Sequence, residues 1–132
     1  MNRENVFSGV CECLADVLDI PAAPIRAEQK IIDDLGADSL DLLDLTFNLE
    51  QKFRVSISPR DIERRAKEKL DGHPLEIEGR YTPEALAELR KALPEIPAEE
   101  LADGLTVADL PRKFRVATMV NLVCRLLEEK RE

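Results

Sequence analysis

Apolar residues recur every three or four positions in the first 18 residues of the chain, which is the spacing of one face of an α-helix. The repeat comprises Val6, Val10, Leu14 and Leu18. It predicts an amphipathic helix over residues 3–18, which Pro21 and Pro24 prevent from continuing. The long connection that follows, residues 20–35, contains apolar anchors that can attach it to a core: Ile25, Ile31, Ile32 and Leu35.

The next helix is predicted over residues 39–53, and most of its circumference is apolar. Its apolar residues are Leu40, Leu42, Leu43, Leu45, Phe47, Leu49 and Phe53. Its polar residues form one narrow stripe of Asp41, Asp44, Asn48 and Gln51. Because so wide an apolar surface must be covered on several sides, the pattern indicates the central helix of a small bundle.

A third helix is predicted to start at Ser58 and Pro59, since serine is a good N-cap and proline a good first helical residue. A segment of about 35–40 residues, roughly 66–104, then precedes the last helix. Within it, Leu75–Ile77 is predicted to be extended. Thr82, Pro83 and Glu84 begin a helix over about 83–93, and a short helical turn follows at 97–102.

The last helix is predicted over residues 110–129, with Asp109 as its N-cap and Pro111 in its first turn. Its apolar stripe is the clearest in the chain and consists of Val116, Met119, Val120, Val123, Leu126 and Leu127. Together the patterns predict an all-α protein that forms a small helical bundle. We predict one domain over residues 1–132, because this length suits a single core.

Charge narrows the range of partners. The formal net charge is −8, and this argues against nucleic acid or an anionic membrane as the main partner, since both require basic patches. The distribution is uneven: residues 31–51 contain six acidic side chains and no basic one, whereas residues 112–131 contain six basic and two acidic ones. We therefore expect basic proteins to dock near residues 31–51.

Cysteine usage and hydropathy bear on the compartment. Cys11, Cys13 and Cys124 lie in apolar helical patterns and not at the loop spacings of a disulfide-stapled fold, so we expect them to be reduced and buried. No apolar run approaches the length of a membrane span, and the N-terminus does not lead into a signal-peptide core. These features predict a cytoplasmic protein without a transmembrane segment.

One short acidic stretch carries the candidate chemistry. Gly36 interrupts the chain, Asp38 is placed to cap a new helix, and Asp41 three residues later completes a capping box. Ser39 is then the first helical residue. Its hydroxyl would lie beside unpaired backbone N–H groups and the positive end of the helix dipole, a position suited to an attached phosphate.

The run Asp-Leu-Gly-Ala-Asp-Ser-Leu-Asp at residues 34–41, with the apolar helix after it, resembles the prosthetic-group site of acyl carrier proteins. In that family the serine at the position of Ser39 is esterified with 4′-phosphopantetheine from coenzyme A, and the thiol of this arm carries an acyl chain as a thioester. The resemblance covers residues 1–62 and 105–129. It fails between them, because ordinary members lack the segment at about 66–104. The resemblance therefore implies a four-helix bundle with a helical insertion at about 66–104 between the third and last helices.

The resemblance also implies roles for other residues. It places partner docking on Asp38, Leu40, Asp41 and Asp44, and the acyl chain in a pocket lined by Leu43, Phe47, Val120 and Val123. The implied partners are a phosphopantetheinyl transferase and acyl-loading and acyltransferase enzymes with basic docking patches. The protein itself is expected to be a monomer and to catalyse no reaction. The insertion points to a specialised carrier, in fatty-acid synthesis or in other lipid assembly such as that of lipopolysaccharide.

Other functions fit the sequence less well. An aminoacyl or peptidyl carrier usually has Gly and an uncharged residue before the serine, where this chain has Ala37 and Asp38. A helical interaction protein that is never modified is the alternative from another class. A hydrolase is disfavoured because the serine lacks the Gly-x-Ser-x-Gly turn and His73 is the single histidine. The acidic residues do not match the ligand spacing of a calcium loop, so no metal site is predicted.

Overall fold

The computed structural model describes residues 2–58 and 60–131, and these residues are mostly helical. In chain order the elements are α1 (Arg3–Leu18), α2 (Ser39–Phe53), α3 (Asp61–Glu68), β1 (Glu76–Ile77), β2 (Arg80–Tyr81), α4 (Pro83–Ala92), a 3₁₀ turn (Ala98–Glu100), α5 (Leu110–Lys113) and α6 (Val116–Arg131). The predicted all-α class is confirmed. The bounds predicted for α1 and α2 agree with the structure, and those for α4 and the 3₁₀ turn agree to within two residues.

The chain forms two compact units. The first comprises the chain up to Ile57 and again from Phe114, and contains α1, α2 and α6. The second runs from Ser58 to Lys113 and contains α3, the hairpin, α4 and α5. It is wider than the predicted insertion, because it includes the helix expected to be the third of the bundle. The single domain over residues 1–132 stays a prediction.

The first unit is built around α1, which packs against both α2 and α6. Asn2 caps α1 by accepting a hydrogen bond from the Asn5 N–H at 2.8 Å. Gly9 lets α1 approach α2 closely, because a Cβ at this position would collide with the ring of Phe53. The buried core of this unit is Val6, Val10, Cys11, Cys13, Leu14, Ile25, Ile31, Ala37, Leu45, Leu49, Phe53, Val116, Met119, Val120 and Val123.

The expectation that α2 is covered on several sides is wrong for one face. Leu45, Leu49 and Phe53 are buried and form its core-facing stripe. Leu40, Leu43 and Phe47 are instead 72%, 48% and 54% exposed. They are spaced i, i+3 and i+7 and therefore form one continuous apolar stripe, which we call the α2 stripe. An apolar residue type indicates that a surface can be buried, but not which of several surfaces a fold buries.

The continuous helix predicted over residues 110–129 is also wrong. α5 ends at Lys113 and α6 begins at Val116, so the chain is interrupted at Phe114 and Arg115. Here the backbone pairs with the connection between α1 and α2, and Lys30 and Arg115 form an antiparallel bridge. The backbone groups on either side of Arg115 bond to this distant segment: the Phe114 carbonyl accepts from the Ile31 N–H, and the Val116 N–H donates to the Gln29 carbonyl.

The start predicted for α3 at Ser58 and Pro59 is wrong as well. Pro59 lies outside the described residues, and α3 begins at Asp61. Arg60 adopts a left-handed conformation with φ of 60° and is not helical. Its guanidinium donates to both carboxylate oxygens of Glu63, at 3.1 and 2.6 Å, and to Glu76 at 3.0 Å. This network fixes the entry to α3.

The second unit contains a small hairpin. β1 and β2 pair antiparallel, Glu76 with Tyr81 and Ile77 with Arg80, and the extended piece predicted at residues 75–77 is confirmed at Glu76 and Ile77. Glu78 and Gly79 form a two-residue turn with φ of 52° and 79°, as such hairpins require. Burial, together with the nearby charge of Glu63, raises the pKa of the Tyr81 hydroxyl well above its usual range.

The cysteines of the described chain are free. Cys11 and Cys13 are buried, and Cys124 is half-buried. Burial is the main cause that raises the pKa of the Cys11 and Cys13 thiols, which therefore stay protonated and unreactive near neutral pH. No helix in the described ranges is both long and apolar enough to cross a lipid bilayer.

Candidate functional site

The site begins with a tight turn before α2. The N–H groups of Asp34 and Leu35 both donate to the Lys30 carbonyl, at 3.0 and 3.1 Å. Gly36 has φ of 81°, a left-handed conformation that glycine adopts without steric cost. The buried side chain of Ala37 then attaches the end of the turn to the core. The residues after it are thereby held at a fixed place on the surface.

The predicted capping box is present at the start of α2. The Asp38 carboxylate accepts a hydrogen bond from the Asp41 N–H at 2.9 Å, and the Asp41 carboxylate accepts one from the Asp38 N–H at 3.0 Å. Each aspartate thus satisfies a backbone donor that the helix start leaves unpaired. The box fixes Ser39 as the first residue of α2.

Ser39 is exposed and lies next to free backbone donors. The N–H groups of Ser39 and Leu40 have no hydrogen-bond partner within the part of the chain that the structure describes. These donors and the positive end of the helix dipole suit a phosphate ester on the Ser39 hydroxyl. The residues present therefore fit an arm attached through phosphate, and exposure lets an enzyme reach the hydroxyl.

The four residues predicted for docking surround this serine. Asp38, Leu40 and Asp44 are exposed and Asp41 is half-exposed. Asp44 lies one helical turn beyond Leu40 and makes no side-chain hydrogen bond within the described chain, whereas the Asp41 carboxylate is engaged in the capping box. The structure thus brings an apolar residue and several carboxylates together beside Ser39.

The structure separates the residues predicted to line the acyl pocket. Val120 and Val123 are buried in the core of the first unit, while Leu43 and Phe47 belong to the exposed α2 stripe. A cleft of about 290 Å³ in this unit lies elsewhere and is lined by Phe7, Ser8, Cys11, Glu12, Ala22, Ala23 and Ile25. None of the four predicted residues is among them. Within the described ranges, no group of three or more His, Cys, Asp or Glu side chains is placed to hold a metal ion.

Sequence reasoning missed two features of the site. The α2 stripe extends the apolar surface next to Leu40 by two further residues, and their i, i+3, i+7 spacing was visible in the sequence without indicating exposure. The pairing between the connection that precedes Ser39 and the start of α6 was also missed. No local pattern signals it, because it joins segments about 85 residues apart.

Comparison with known proteins agrees with this geometry. Residues 8–66 match a family described as the phosphopantetheine attachment site. The acyl carrier protein of Thermotoga maritima is 41% identical over 63 residues, which are 48% of this chain and 78% of that protein. The acyl carrier protein of Campylobacter jejuni subsp. doylei is 46% identical over 61 residues, 46% of this chain and 79% of that protein. No solved structure matches the chain.

The chain thus has an exposed serine at the capped start of a helix, in a small helical unit with acidic side chains near that start. Relatives above 40% identity are covered over more than three quarters of their length. The chain belongs to the acyl carrier protein family. Its cofactor is covalently attached 4′-phosphopantetheine. The family match ends within α3, so most of the second unit lies outside it.

Proposed function

We propose that Ser39 carries the 4′-phosphopantetheine arm and that the protein transports acyl groups, as thioesters on this arm, between enzymes of lipid biosynthesis. The observation that carries the proposal is the placement of Ser39, exposed as the first residue of α2 with the free N–H groups of Ser39 and Leu40 beside its hydroxyl. The Asp38–Asp41 capping box supports it by holding that helix start in place.

Attachment is a phosphoryl-type transfer in which the Ser39 oxygen forms a bond to phosphorus as the phosphoanhydride bond of coenzyme A breaks. The nucleotide half of coenzyme A leaves, and the hydroxyl proton passes to a base of the transferase. This chain supplies the nucleophile, its position and the docking surface. The protein acts as a substrate and carrier, not as an enzyme.

Docking is proposed to use Asp38, Leu40, Asp41 and Asp44. The carboxylates attract basic patches on the phosphopantetheinyl transferase and on acyl-loading and acyltransferase enzymes, which speeds association and makes it sensitive to salt. Leu40 supplies an apolar anchor, and the rest of the α2 stripe extends the contact along the helix. Transient protein–protein interfaces commonly have aromatic and aliphatic residues at their centre and charged residues at their periphery.

The four residues of the proposed acyl pocket differ in their burial. Val120 and Val123 are buried and Leu43 and Phe47 are exposed, so a pocket lined by all four requires the contact between α2 and α6 to open when an acyl chain is loaded. Each methylene removed from water would contribute about 0.8 kcal/mol towards that opening. The opened pocket is part of the proposal for the loaded protein.

The remaining parts of the proposal concern setting and cargo. The free cysteines, of which Cys11 and Cys13 are buried, support a reducing compartment, and we propose a cytoplasmic monomer. The second unit, most of which lies outside the family match, supports a specialised carrier, in fatty-acid synthesis or in the assembly of another lipid such as lipopolysaccharide. Aminoacyl or peptidyl cargo is the alternative to acyl cargo. Incubation with a loading enzyme for each kind of cargo would show which one accepts this protein.

The proposal is tested by the intact mass of the protein, as purified and after incubation with coenzyme A and a phosphopantetheinyl transferase. We expect one phosphopantetheine per chain, located by fragmentation to the peptide that contains Ser39. If no addition occurs under either condition, the proposed function is wrong, and an unmodified helical interaction protein becomes the better description.

Charge reversal at Asp44 should weaken docking without disturbing the fold. The Asp44 side chain makes no hydrogen bond within the described chain, so we expect Asp44→Lys to fold normally and to slow phosphopantetheinyl transfer by roughly tenfold at low salt. The deficit should shrink as salt is added, because screening also weakens the wild-type attraction. Transfer rates measured against salt concentration check this.

Asp16→Lys is the matched control for Asp44→Lys. Asp16 is an exposed aspartate on α1 of the same unit, and its reversal changes the net charge of the protein by the same amount. We expect its transfer rate to stay close to that of the wild type. Equal slowing by both variants would attribute the effect to overall charge and would contradict a docking surface on α2.

A further inference from the structure

The segment that leads to Ser39 is attached to the start of α6. We call residues 27–31 and 114–117 together the clasp. Its backbone hydrogen bonds are Ile31 N–H to Phe114 O at 3.1 Å, Val116 N–H to Gln29 O at 3.0 Å and Ala117 N–H to Ala27 O at 2.9 Å. The antiparallel bridge between Lys30 and Arg115 lies in its middle. The residues at the break between α5 and α6 are thus hydrogen-bonded through their backbone to the connection between α1 and α2.

Two side chains fix the backbone of the clasp, one from each side. Thr118 is buried, and its hydroxyl oxygen accepts a hydrogen bond from the Arg115 N–H at 2.9 Å. The Asp34 carboxylate accepts one from the Lys30 N–H at 2.8 Å. Both paired residues of the bridge therefore have their N–H groups oriented by a side chain, which limits the conformations open to the clasp.

The clasp continues directly into the turn that ends at Ser39. Ile31 contributes its N–H to the clasp, and its carbonyl accepts a hydrogen bond from the Ala37 N–H at 3.2 Å. The side chains of Ile31 and Ala37 are both buried, and Ala37 is followed at once by the cap residue Asp38. The position of Ser39 relative to the core of its unit is therefore set through Ile31.

We propose that Thr118 is a positioning residue for the modification of Ser39. The inference rests on the proposed function. A transferase must meet the Ser39 hydroxyl and the α2 surface in one geometry, and small displacements of a reacting group lower the rate of transfer strongly. Thr118 is far from Ser39 in sequence, but it orients the N–H group of Arg115, which lies in the clasp. The clasp in turn restrains the turn before Ser39.

The test compares Thr118→Val, which keeps the shape of the side chain but removes the acceptor, with Thr118→Ser, which keeps the acceptor. We expect Thr118→Val to lower kcat/KM for phosphopantetheinyl transfer by roughly tenfold, and Thr118→Ser to stay within about twofold of the wild type. Amide exchange at Ile31 and Ala37 should become faster in Thr118→Val alone.

Thr82→Val is the matched control. Thr82 is also buried and also accepts a backbone hydrogen bond, from the Ala85 N–H at 3.1 Å, but it caps α4 in the second unit. We expect Thr82→Val to leave transfer within about twofold of the wild type. Equal losses in Thr82→Val and Thr118→Val would indicate general destabilisation and would overturn a positioning role for Thr118.

Asp34 provides a second pair of variants in case Thr118→Val does not fold. Asp34→Ala removes the acceptor of the Lys30 N–H, and Asp34→Asn removes the charge but keeps an acceptor. If Asp34→Ala slows phosphopantetheinyl transfer and Asp34→Asn largely keeps the wild-type rate, the inference is supported. Equal transfer rates in the two variants overturn it. If the wild type is modified but Thr118→Val is modified equally fast, the inference alone fails. If the wild type is not modified, the proposed function fails and the inference with it.

Discussion

Replacement of Ser39 by alanine should abolish attachment of phosphopantetheine completely, because the Ser39 oxygen is the proposed nucleophile and no neighbouring hydroxyl shares its position. The helix start should persist, since Asp38 and Asp41 form the capping box without the Ser39 side chain. We expect a stability change within about 0.5 kcal/mol, typical of exposed substitutions. Intact mass after incubation with coenzyme A and transferase, together with thermal unfolding, measures both effects.

Ser56→Ala is the matched control for Ser39→Ala. The chain has four serines, at positions 8, 39, 56 and 58, and Ser56 is exposed like Ser39 but lies between helices in the link after α2. Ser56→Ala should gain one phosphopantetheine as the wild type does. Retained modification of Ser39→Ala would show that another side chain is the attachment site, and the assignment of Ser39 would be wrong.

Leu49→Ala should have the largest effect on stability. Leu49 is fully buried in the face of α2 that contributes to the core, at 0% exposure. Truncation of a buried leucine removes its transfer free energy and leaves a cavity, which together cost about 2–5 kcal/mol. Urea or thermal unfolding followed by circular dichroism should show this loss, which is a large part of the stability of a small domain.

Leu40→Ala is the matched control on the opposite face of the same helix. Leu40 is 72% exposed, so the same chemical change should alter stability by no more than about 0.5 kcal/mol. It should nevertheless slow phosphopantetheinyl transfer, because Leu40 is proposed to contact the transferase. Similar losses of stability in Leu49→Ala and Leu40→Ala would contradict the assignment of the two faces of α2.

One face of α2 stabilises the first unit, and the opposite face is proposed to bind partner enzymes. Leu45, Leu49 and Phe53 pack into the first unit, whereas the α2 stripe leaves three large apolar side chains exposed beside the proposed attachment site. Exposed apolar surface of this kind is an aggregation risk, which the nearby carboxylates of Asp38 and Asp44 counter by keeping the surface strongly charged. The same carboxylates are proposed to attract basic partners, so one set of residues serves solubility and docking.

Most of the second unit lies outside the family match. The family match covers residues 8–66 and ends in α3, and the second unit runs from Ser58 to Lys113. It has buried apolar residues of its own, among them Leu86 and Leu89 of α4, and the Arg60 network at the entry to α3. An ordered unit of this kind supports a dedicated role in partner or cargo choice, which is the basis for proposing a specialised carrier.

Local features of this protein were determined by the sequence itself. The capping box at Asp38 and Asp41, the proline-containing start of α4 after Thr82 and the bounds of α1 and α2 all depend on residues within one helical turn of each other. Each of these capping hydrogen bonds joins a side chain to a backbone N–H group three residues away, so its formation needs no distant segment. The residues around Ser39 therefore suffice, by themselves, to indicate that it begins a capped helix.

Tertiary structure decided the features that depend on distant partners. The helix is interrupted at Phe114 and Arg115, where the chain pairs with Gln29–Ile31. Arg60 has a left-handed conformation and binds Glu76, 16 residues further along the chain. The exposure of Leu43 and Phe47 follows from which elements pack beside α2 and not from residue type. A periodic pattern shows which residues can be buried, but only the packing of distant segments determines which ones are buried and where a helix must break.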